Sequence, residues 1–576
     1  MSKTPNYDNK IKQILDATQP GERVCELTGE KWEMTQEEIG WFRKFNVPPP
    51  RVAPQTRMLC VAAFGNCYQW WYQKHPDTGK QILTYVHPGS GIKVLPDKEW
   101  FAKDFSSVNT EVDLGRSAFE IIHDLERRVP FTASRNMEEP ENSLSVVSFG
   151  DQNCLLTFAC QGKNSQFGIV GTNMESSAEI VFADTVTNSY NISYSDRIFN
   201  CKFLRNSYDC MNSAFLFDCR NCENCHGAVN RRGGKFLLWD QQVSQAEYEK
   251  YESEHDLSCR SVLDVEKKKF HDLVAGAVWP ENFSVHAENC IGEYLINCLN
   301  LKYAYNCAHG AKDSFWVNFQ YQFNEGNAFV DGAKQTSNCY YSLGISNGDQ
   351  MKFCFGVDRC EDIEYCMQCY NCEHCFGCVG LNRKKFHIFN KAYEESAYWQ
   401  KLDELKCAML ECGEYGEYFP LSLSSAHFLE STEVFLGFAD VETAHKVHAN
   451  LYDVTAEGAV GNAESADTKQ LADVPDCVVD LDDSWSKTPV FDPEIGRRFM
   501  FFPQEIAFYR KHNIAPPARH FILRVKDILV ESNIGQYESA VCAKCSRSLT
   551  VAQNKTFKNR QIYCQECYLQ YLEKYG

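Results

Sequence analysis

The sequence predicts a mainly β protein with some α. Its centre reads as a pair of tight, β-solenoid-like, cysteine-rich units with a three-residue period and helical insertions. Duplicated small α+β modules of zinc-ribbon or treble-clef type flank them. Three observations carry this. Small or apolar residues recur at every third position through long central stretches, two segments repeat elsewhere in the chain, and two Cys-x-x-Cys pairs stand near the C-terminus.

The period is clearest from Cys366 to Cys378, CMQCYNCEHCFGC, with five cysteines three residues apart. Stepping back from Cys366 gives Ile363, Cys360, Val357, Cys354 and Met351, and an earlier stretch gives Ile192, Ser195, Ile198, Cys201, Leu204, Ser207 and Cys210. The residues between are mostly polar or aromatic. Three-residue steps drift by ~60° around an α-helix, and strands alternate by two. A period of three instead suits short sides and frequent corners, with one residue in three facing a narrow interior. Cysteine serves there as a small hydrophobe. Asn or Asp precedes many ladder cysteines (Asn153, Asp209, Asn221, Asn371), and both tolerate left-handed corners.

The ladder has three readings: interior packing, redox chemistry, or a second thiol site for a metal at Cys366, Cys369, Cys372, Cys375 and Cys378. The duplication favours packing. Where one unit has Cys366 and Cys378, the other has Leu216 and Ala228, which fill the same slot but bind no metal.

Two repeats set the organisation. EEIGWFRKFNVPPP (37–50) precedes QEIAFYRKHNIAPP (504–517) by 467 residues, with Gly29, Trp32 and Arg57 matching Gly496, Phe499 and Arg524. NCENCHGAV (221–229) precedes NCEHCFGCV (371–379) by 150, each followed by a helical stretch; Ser244 and Glu247 have capping-box spacing. The expected division is an N-terminal degenerate zinc-ribbon-like module (1–132), a first solenoid unit (144–280), a second (281–415), a connector (416–490) and a C-terminal zinc-ribbon or treble-clef module (491–576).

CAKC (542–545) and CQEC (564–567) are separated by 18 residues. Two such pairs at this spacing point to one structural zinc per chain, held by Cys542, Cys545, Cys564 and Cys567. Four thiolates leave no position open for a catalytic water. In the N-terminal copy Cys542 falls on His75 and Cys545 on Thr78, and the second pair falls near Pro96–Glu99. No zinc is expected there, and His75 reads as a surface histidine.

CFGCVGLNRKKFHIFNKAY (375–393), GEYGEYFPLSLS (413–424), PQEIAFYRKHNIAPPARH (503–520) and IYCQECY (562–568) resemble an uncharacterised bacterial family of cysteine-rich zinc-ribbon or treble-clef proteins, some labelled CaiB/BaiF family protein. The resemblance spans most of the chain and implies zinc-binding modules flanking a cysteine-rich repeat region, with no known reaction. The family follows its double-proline turn with Cys-Pro-x-Cys-Arg; this chain has RVAPQTR (51–57) and ARHFILR (518–524) instead. The acyl-CoA transferase label finds no support, since no doubly wound pattern and no glycine-rich nucleotide loop is present.

Composition bounds the function. A net charge of −19 opposes whole-surface binding to nucleic acid or anionic lipid. Between Glu494 and Arg560, however, twelve Lys or Arg face five Asp or Glu. Arg510, Lys511, Arg519, Arg547, Lys555, Lys558 and Arg560 are candidate phosphate contacts. The start, MSKTPNYDNKIKQ, lacks a signal-peptide core, and no apolar run approaches the ~20 residues of a membrane span. The expectation is a cytoplasmic protein with no membrane partner, whose 29 cysteines are not widely disulfide-bonded. No catalytic constellation and no small-molecule substrate site emerges. The leading function is a non-enzymatic structural or protein-interaction scaffold with protein partners or self-association. The alternatives are a nucleic-acid- or ribosome-associated zinc protein acting through the C-terminal module, and a thiol-based metal-handling or redox protein.

Overall fold

In the computed structural model, which describes residues 2–67, 69–455 and 468–576, the centre of the chain forms two long, mainly parallel sheets. One has 13 strands within 144–242, the other 11 strands within 285–392. Helices and short hairpins lie at both ends and after each sheet, so the chain is mixed α and β, more helical than "mainly β" anticipates.

Through much of both sheets the register advances by twelve residues, with steps of eleven at the first strands and thirteen from Leu299 to Ala328. Ala178 pairs with Tyr190, Tyr190 with Lys202, Lys202 with Ala214 and Ala214 with His226, a step of twelve residues each time. The second sheet repeats that step through Asp349, Glu361, Glu373 and Lys385. Within each step the backbone turns at every third residue. At Asn188, Asn191, Tyr194, Arg197, Asn200, Phe203, Asn206, Asp209 and Asn212, φ lies between +47° and +60°. The next residue in each case, such as Ser189, Ile192, Ser195, Ile198 or Cys201, is buried. Left-handed geometry costs an ordinary L-residue roughly 1–2 kcal/mol, and Asn and Asp tolerate it best. Asn153, Asp209, Asn221 and Asn371 all adopt it. The outward rings at other corners recover packing energy, with Phe203 stacked on Phe215 at 4.9 Å.

Polar interior residues satisfy the corners. Ser189 Oγ donates to the Thr187 carbonyl (2.8 Å) and accepts from Cys201 N–H (3.0 Å). Cys360 does the same with sulfur, donating to the Asp358 carbonyl (3.4 Å) and accepting from Cys372 N–H (3.3 Å). Serine and cysteine are thus interchangeable here for one physical reason: each is small and both donates and accepts.

Each sheet ends in an antiparallel pair and then helix. Leu237–Leu238 pairs with Gln241–Gln242 before helices Gln245–Glu254 and Arg260–Ala275; Lys385–Ile388 pairs with Lys391–Ala392 before helix Glu395–Glu411. The capping box of Ser244 and Glu247 forms. The two sheets meet through Phe182 and Phe319 (5.5 Å) and a hydrogen bond between Tyr194 and Tyr305 hydroxyls (2.7 Å).

The ends of the chain dock crosswise. The N-terminal helix Pro54–Ala62 lies on strand Ala328–Lys334 of the second sheet, with Trp41 stacked on Phe315 at 6.0 Å and Phe45 tilted against Tyr340 at 5.1 Å. The C-terminal helix Phe521–Val530 lies on Ala178–Thr187 of the first sheet, with Phe521 stacked on Phe167 at 5.8 Å. Part of the expected connector, 456–467, falls outside the described residues. What precedes it is no loose linker: Phe428, Phe435 and Leu436 are buried, and Phe435 wedges against Phe182 (4.9 Å) and Phe319 (5.3 Å).

One disulfide, Cys259–Cys477, forms among the described residues, an isolated bridge beside many free thiols. Residues 258–260 and 476–478 run antiparallel, joined by Arg260 N–H to Asp476 O (2.8 Å) and Val478 N–H to Ser258 O (2.9 Å), so the two sulfurs face one another. Among the described residues no helix is long and apolar enough to cross a membrane.

Candidate metal centre

The hairpin Tyr537–Val541/Ser548–Ala552 delivers Cys542 and Cys545 on its turn. Cys542 N–H donates to the Arg547 carbonyl (2.9 Å) and Ser546 N–H to the Cys542 carbonyl (2.8 Å), with Ser546 left-handed at φ +63°. Strand Gln561–Tyr563, anchored in parallel on Val278–Pro280, then brings Cys564 to the N-cap of helix Gln565–Tyr575 and Cys567 to its first turn. Inside that helix Tyr568 hydrogen-bonds Asp218 and accepts from Asn230 Nδ2 (3.0 Å), fixing the helix to the first sheet.

The four sulfurs lie within 4.8 Å of one another, Cys545 and Cys564 at 3.8 Å. Cys564 N–H points at Cys542 Sγ from 3.3 Å. Burial opposes ionisation of Cys542, but backbone N–H groups of Cys564, Cys545 and Lys544 outweigh it and bring this thiol down to about 6. The donor set fits a metal ion: four convergent sulfurs, one already disposed to be thiolate, on a backbone that directs N–H groups at sulfur.

The ladder cysteines occupy another environment. Cys366, Cys369, Cys372, Cys375 and Cys378 are all buried. Each donates to a carbonyl two residues back, as Cys366 to Glu364 (3.4 Å), and another nine residues on, as Cys366 to Cys375 (3.5 Å). Burial pushes Cys201 and Cys354 up to about 12. Among the described residues, the groups that bring three or more ligand atoms within 4.8 Å contain none of these five. A feature missed in the sequence does recur, however. Cys210, Cys219, Cys222 and Cys225 stand 150 residues before Cys360, Cys369, Cys372 and Cys375. In each set the surrounding thiols lower the pKa of the third sulfur, Cys222 or Cys372. Applying the 150-residue offset to all four cysteines together would have found it.

The candidate phosphate contacts separate. Arg510 donates to the Leu481 carbonyl (2.6 Å) and pairs with Asp483 (2.8 Å); Arg519 pairs with Glu494 and Asp527 (2.7 Å to the latter). Arg560 is buried, stacks over Trp279 and donates to the Ala552 and Phe557 carbonyls. Lys555 donates to the Gly437 carbonyl. Lys511, Arg547 and Lys558 are exposed. The structure therefore does not gather the seven into one basic face.

His75, read from sequence as a surface residue, is buried. Its Nε2 lies 2.8 Å from Glu99, and the two share a cluster with Asp77. The hairpin turn covers one ring edge and the helix carrying Glu99 the other. Compared with protein-family models, with curated proteins and with solved structures, the chain matches none of them.

Proposed function

We propose that this chain is a non-enzymatic scaffold, its two sheets wound as tight solenoids, most turns of twelve residues, and its C-terminal module held by one structural zinc. The observation that carries this reading is the crosswise docking. Each end module covers an aromatic face of the sheet farther from it in sequence, so the molecule's architecture is spent on fixing four parts against one another. The interior supports it too: ladder thiols are buried and hydrogen-bonded to carbonyls, as packing requires. Zinc suits the C-terminal cluster because four thiolates in a closed tetrahedral set favour it, and a small module gains folding energy from the ion. The faces left between docked modules suit protein partners or further copies of the chain.

The recurrence of a cysteine quartet at a 150-residue offset in both units favours a second reading, thiol-based metal handling or redox chemistry. The nucleic-acid reading has less support, since four of the seven basic candidates are engaged within the molecule.

Metal content after gel filtration, with native thiol titration, separates the readings. A scaffold retains one tightly held zinc, lost in Cys564→Ser, and its ladder thiols react only on unfolding. Several retained soft-metal ions, or ladder thiols that react and re-form reversibly in the folded chain, would overturn the scaffold in favour of the thiol reading.

A further inference from the structure

The bridge Cys259–Cys477 stands apart from the other 27 cysteines, which are free. Both of its cysteines are half-buried at the surface, whereas the ladder thiols from Cys366 to Cys378 are buried. It closes a loop of 218 residues that contains the whole second sheet and the helix Glu395–Glu411. Cys259 is the N-cap of helix Arg260–Ala275. Asp476, beside Cys477, caps the same helix: its carboxylate accepts from Ser261 N–H (3.0 Å) and Ser261 Oγ (2.7 Å). The Arg260 guanidinium donates to the carbonyls of Val474 (3.2 Å), Pro475 (3.3 Å) and Pro516 (3.2 Å). Residues 474–481 thus form a strap between the helical insertion of the first unit and the C-terminal module. Its Val474, Val478 and Leu481 are buried, and Arg510 of helix Pro503–His512 holds its last carbonyl.

We propose that Cys259–Cys477 is a thiol-exchange site, opened by low-molecular-weight thiols and closed by their disulfides while the chain stays folded, and that its state sets how firmly the strap holds the C-terminal module to the first unit. This rests on the bridge alone, not on which reading of the ladder thiols holds. A small thiolate attacks Cys477 Sγ, the bond between the two protein sulfurs breaks, and its electron pair leaves on Cys259, which takes a proton from solvent. A second small thiolate attacks the sulfur of the first and frees Cys477. Two small thiols are thereby oxidised to their disulfide, and the bridge is reduced to two thiols. The helix N-terminus makes Cys259 the better leaving thiolate. Cys477 Sγ lies 3.8 Å from the Asp476 carboxylate, which disfavours negative charge on that sulfur. Reversal is built in. With the bridge open, the hydrogen bonds of Arg260, Ser261 and Val478 still hold the two segments side by side, so the thiols stay within reach of one another. What opening removes is the covalent closure. The strap then holds by these hydrogen bonds and three apolar side chains, and it opens locally more often. Burial denies the same exchange to the ladder thiols.

The test equilibrates the full-length chain with mixtures of reduced and oxidised glutathione, then alkylates it and identifies the labelled peptides by mass. One reversible two-electron transition is expected, confined to the peptides with Cys259 and Cys477. Hydrogen exchange in 474–481 should be about tenfold or more faster in the reduced chain, with the two sheets unchanged. Cys259→Ser should leave Cys477 able to take up one glutathione. Asp476→Asn keeps an acceptor for Ser261 N–H but removes the charge, and should speed reduction several-fold. Cys259→Ser with Cys477→Ser should exchange like the reduced chain whatever the glutathione ratio. Should that double variant fail to fold, the comparison of oxidised and reduced wild-type chain stands without it. A bridge that is absent at every ratio, a bridge that reduces only on unfolding, or strap exchange equal in the two states would overturn the proposal.

Discussion

The Arg57 guanidinium stacks on the Phe329 ring at 3.7 Å, fully buried, while its Nη2 donates to the Glu38 carboxylate. At the other end of the chain Arg524 stacks on Phe167 at 4.5 Å and pairs with Glu505 at 2.9 Å. Each arginine fastens an end module to its sheet by cation–π contact, while its buried ion pair, with Glu38 or Glu505, lies within the module. Removing one partner leaves an uncompensated buried charge. Arg57→Ala should therefore cost about 3–5 kcal/mol. Arg57→Met with Glu38→Met should recover most of that loss, because the pair's desolvation cost disappears with it. Denaturant midpoints compare the two; a single variant no less stable than the double would contradict the assignment.

The interior ladder makes a positional prediction. Leu216 occupies in the first unit the slot of Cys366 in the second, whereas Cys372 corresponds to Cys222 and sits among three other thiols. Cys366→Leu should be tolerated within about 1.5 kcal/mol, while Cys372→Leu should overpack and cost about 1–3 kcal/mol. Cys372→Ser should be mild, because serine makes the corner bonds that Ser189 makes. Equal effects of leucine at both sites in thermal melts would contradict the slot assignment.

Acid should destabilise the protein through three histidines around Arg497. His87, His427 and His520 are all buried. Burial first, and then the Arg497 charge, brings His87 down to about 4, His427 down to about 3, and His520 well below its ordinary value. With folded values below the unfolded ~6.5, their neutral forms are accommodated in full above pH 6.5. Stability then falls as pH drops through 6.5 toward 4, by up to ~1.4 kcal/mol per pH unit for each histidine. Midpoints measured between pH 7 and 4 report the slope, and His427→Asn should flatten it. A profile as steep in that variant would exclude His427 as a contributor.

His226 should act in the opposite sense. Burial opposes its charge, but Glu252 (2.5 Å) and Glu266 (2.9 Å) outweigh that and raise its pKa. A raised folded value gives stability that is complete below ~6.5 and is lost as pH rises through the folded pKa. Helix Gln245–Glu254, which carries Glu252, should loosen at alkaline pH. Hydrogen exchange in that helix, corrected for intrinsic rate, should speed up between pH 6 and 9, and His226→Phe should remove the pH dependence. Unchanged protection across that range would count against the pairing.

Metal removal should act locally. Chelation or Cys564→Ser should release protection in 537–576 while the twelve-residue ladders keep theirs. Loss of protection throughout the sheets would mean the ion holds more than its own module.

What the sequence made legible depended on distance along the chain. The left-handed corners at Asn153, Asp209, Asn221 and Asn371 could be read because each depends on its own residue and the next. Cys542, Cys545, Cys564 and Cys567 could be read because their spacing alone positions them on a turn and a helix start. The docking of Arg57 on Phe329 could not, because nothing local to either names the other. His75 was misread for the same reason: part of its cover comes from Glu99, 24 residues further on. The Cys259–Cys477 bridge spans 218 residues, and nothing local to either cysteine names the other.

The crosswise docking also orders events during synthesis. Arg57 leaves the ribosome some 270 residues ahead of Phe329, a lag on the order of tens of seconds at ordinary elongation rates. Through that interval the aromatic face of Trp41, Phe42 and Phe45 has no sheet to cover it, and the first sheet forms without the C-terminal helix that will close it. The nascent chain thus carries two uncovered aromatic faces at once, each awaiting a partner not yet made, so keeping these faces apart until the second sheet and then the helix Phe521–Val530 emerge is part of how this molecule must be built.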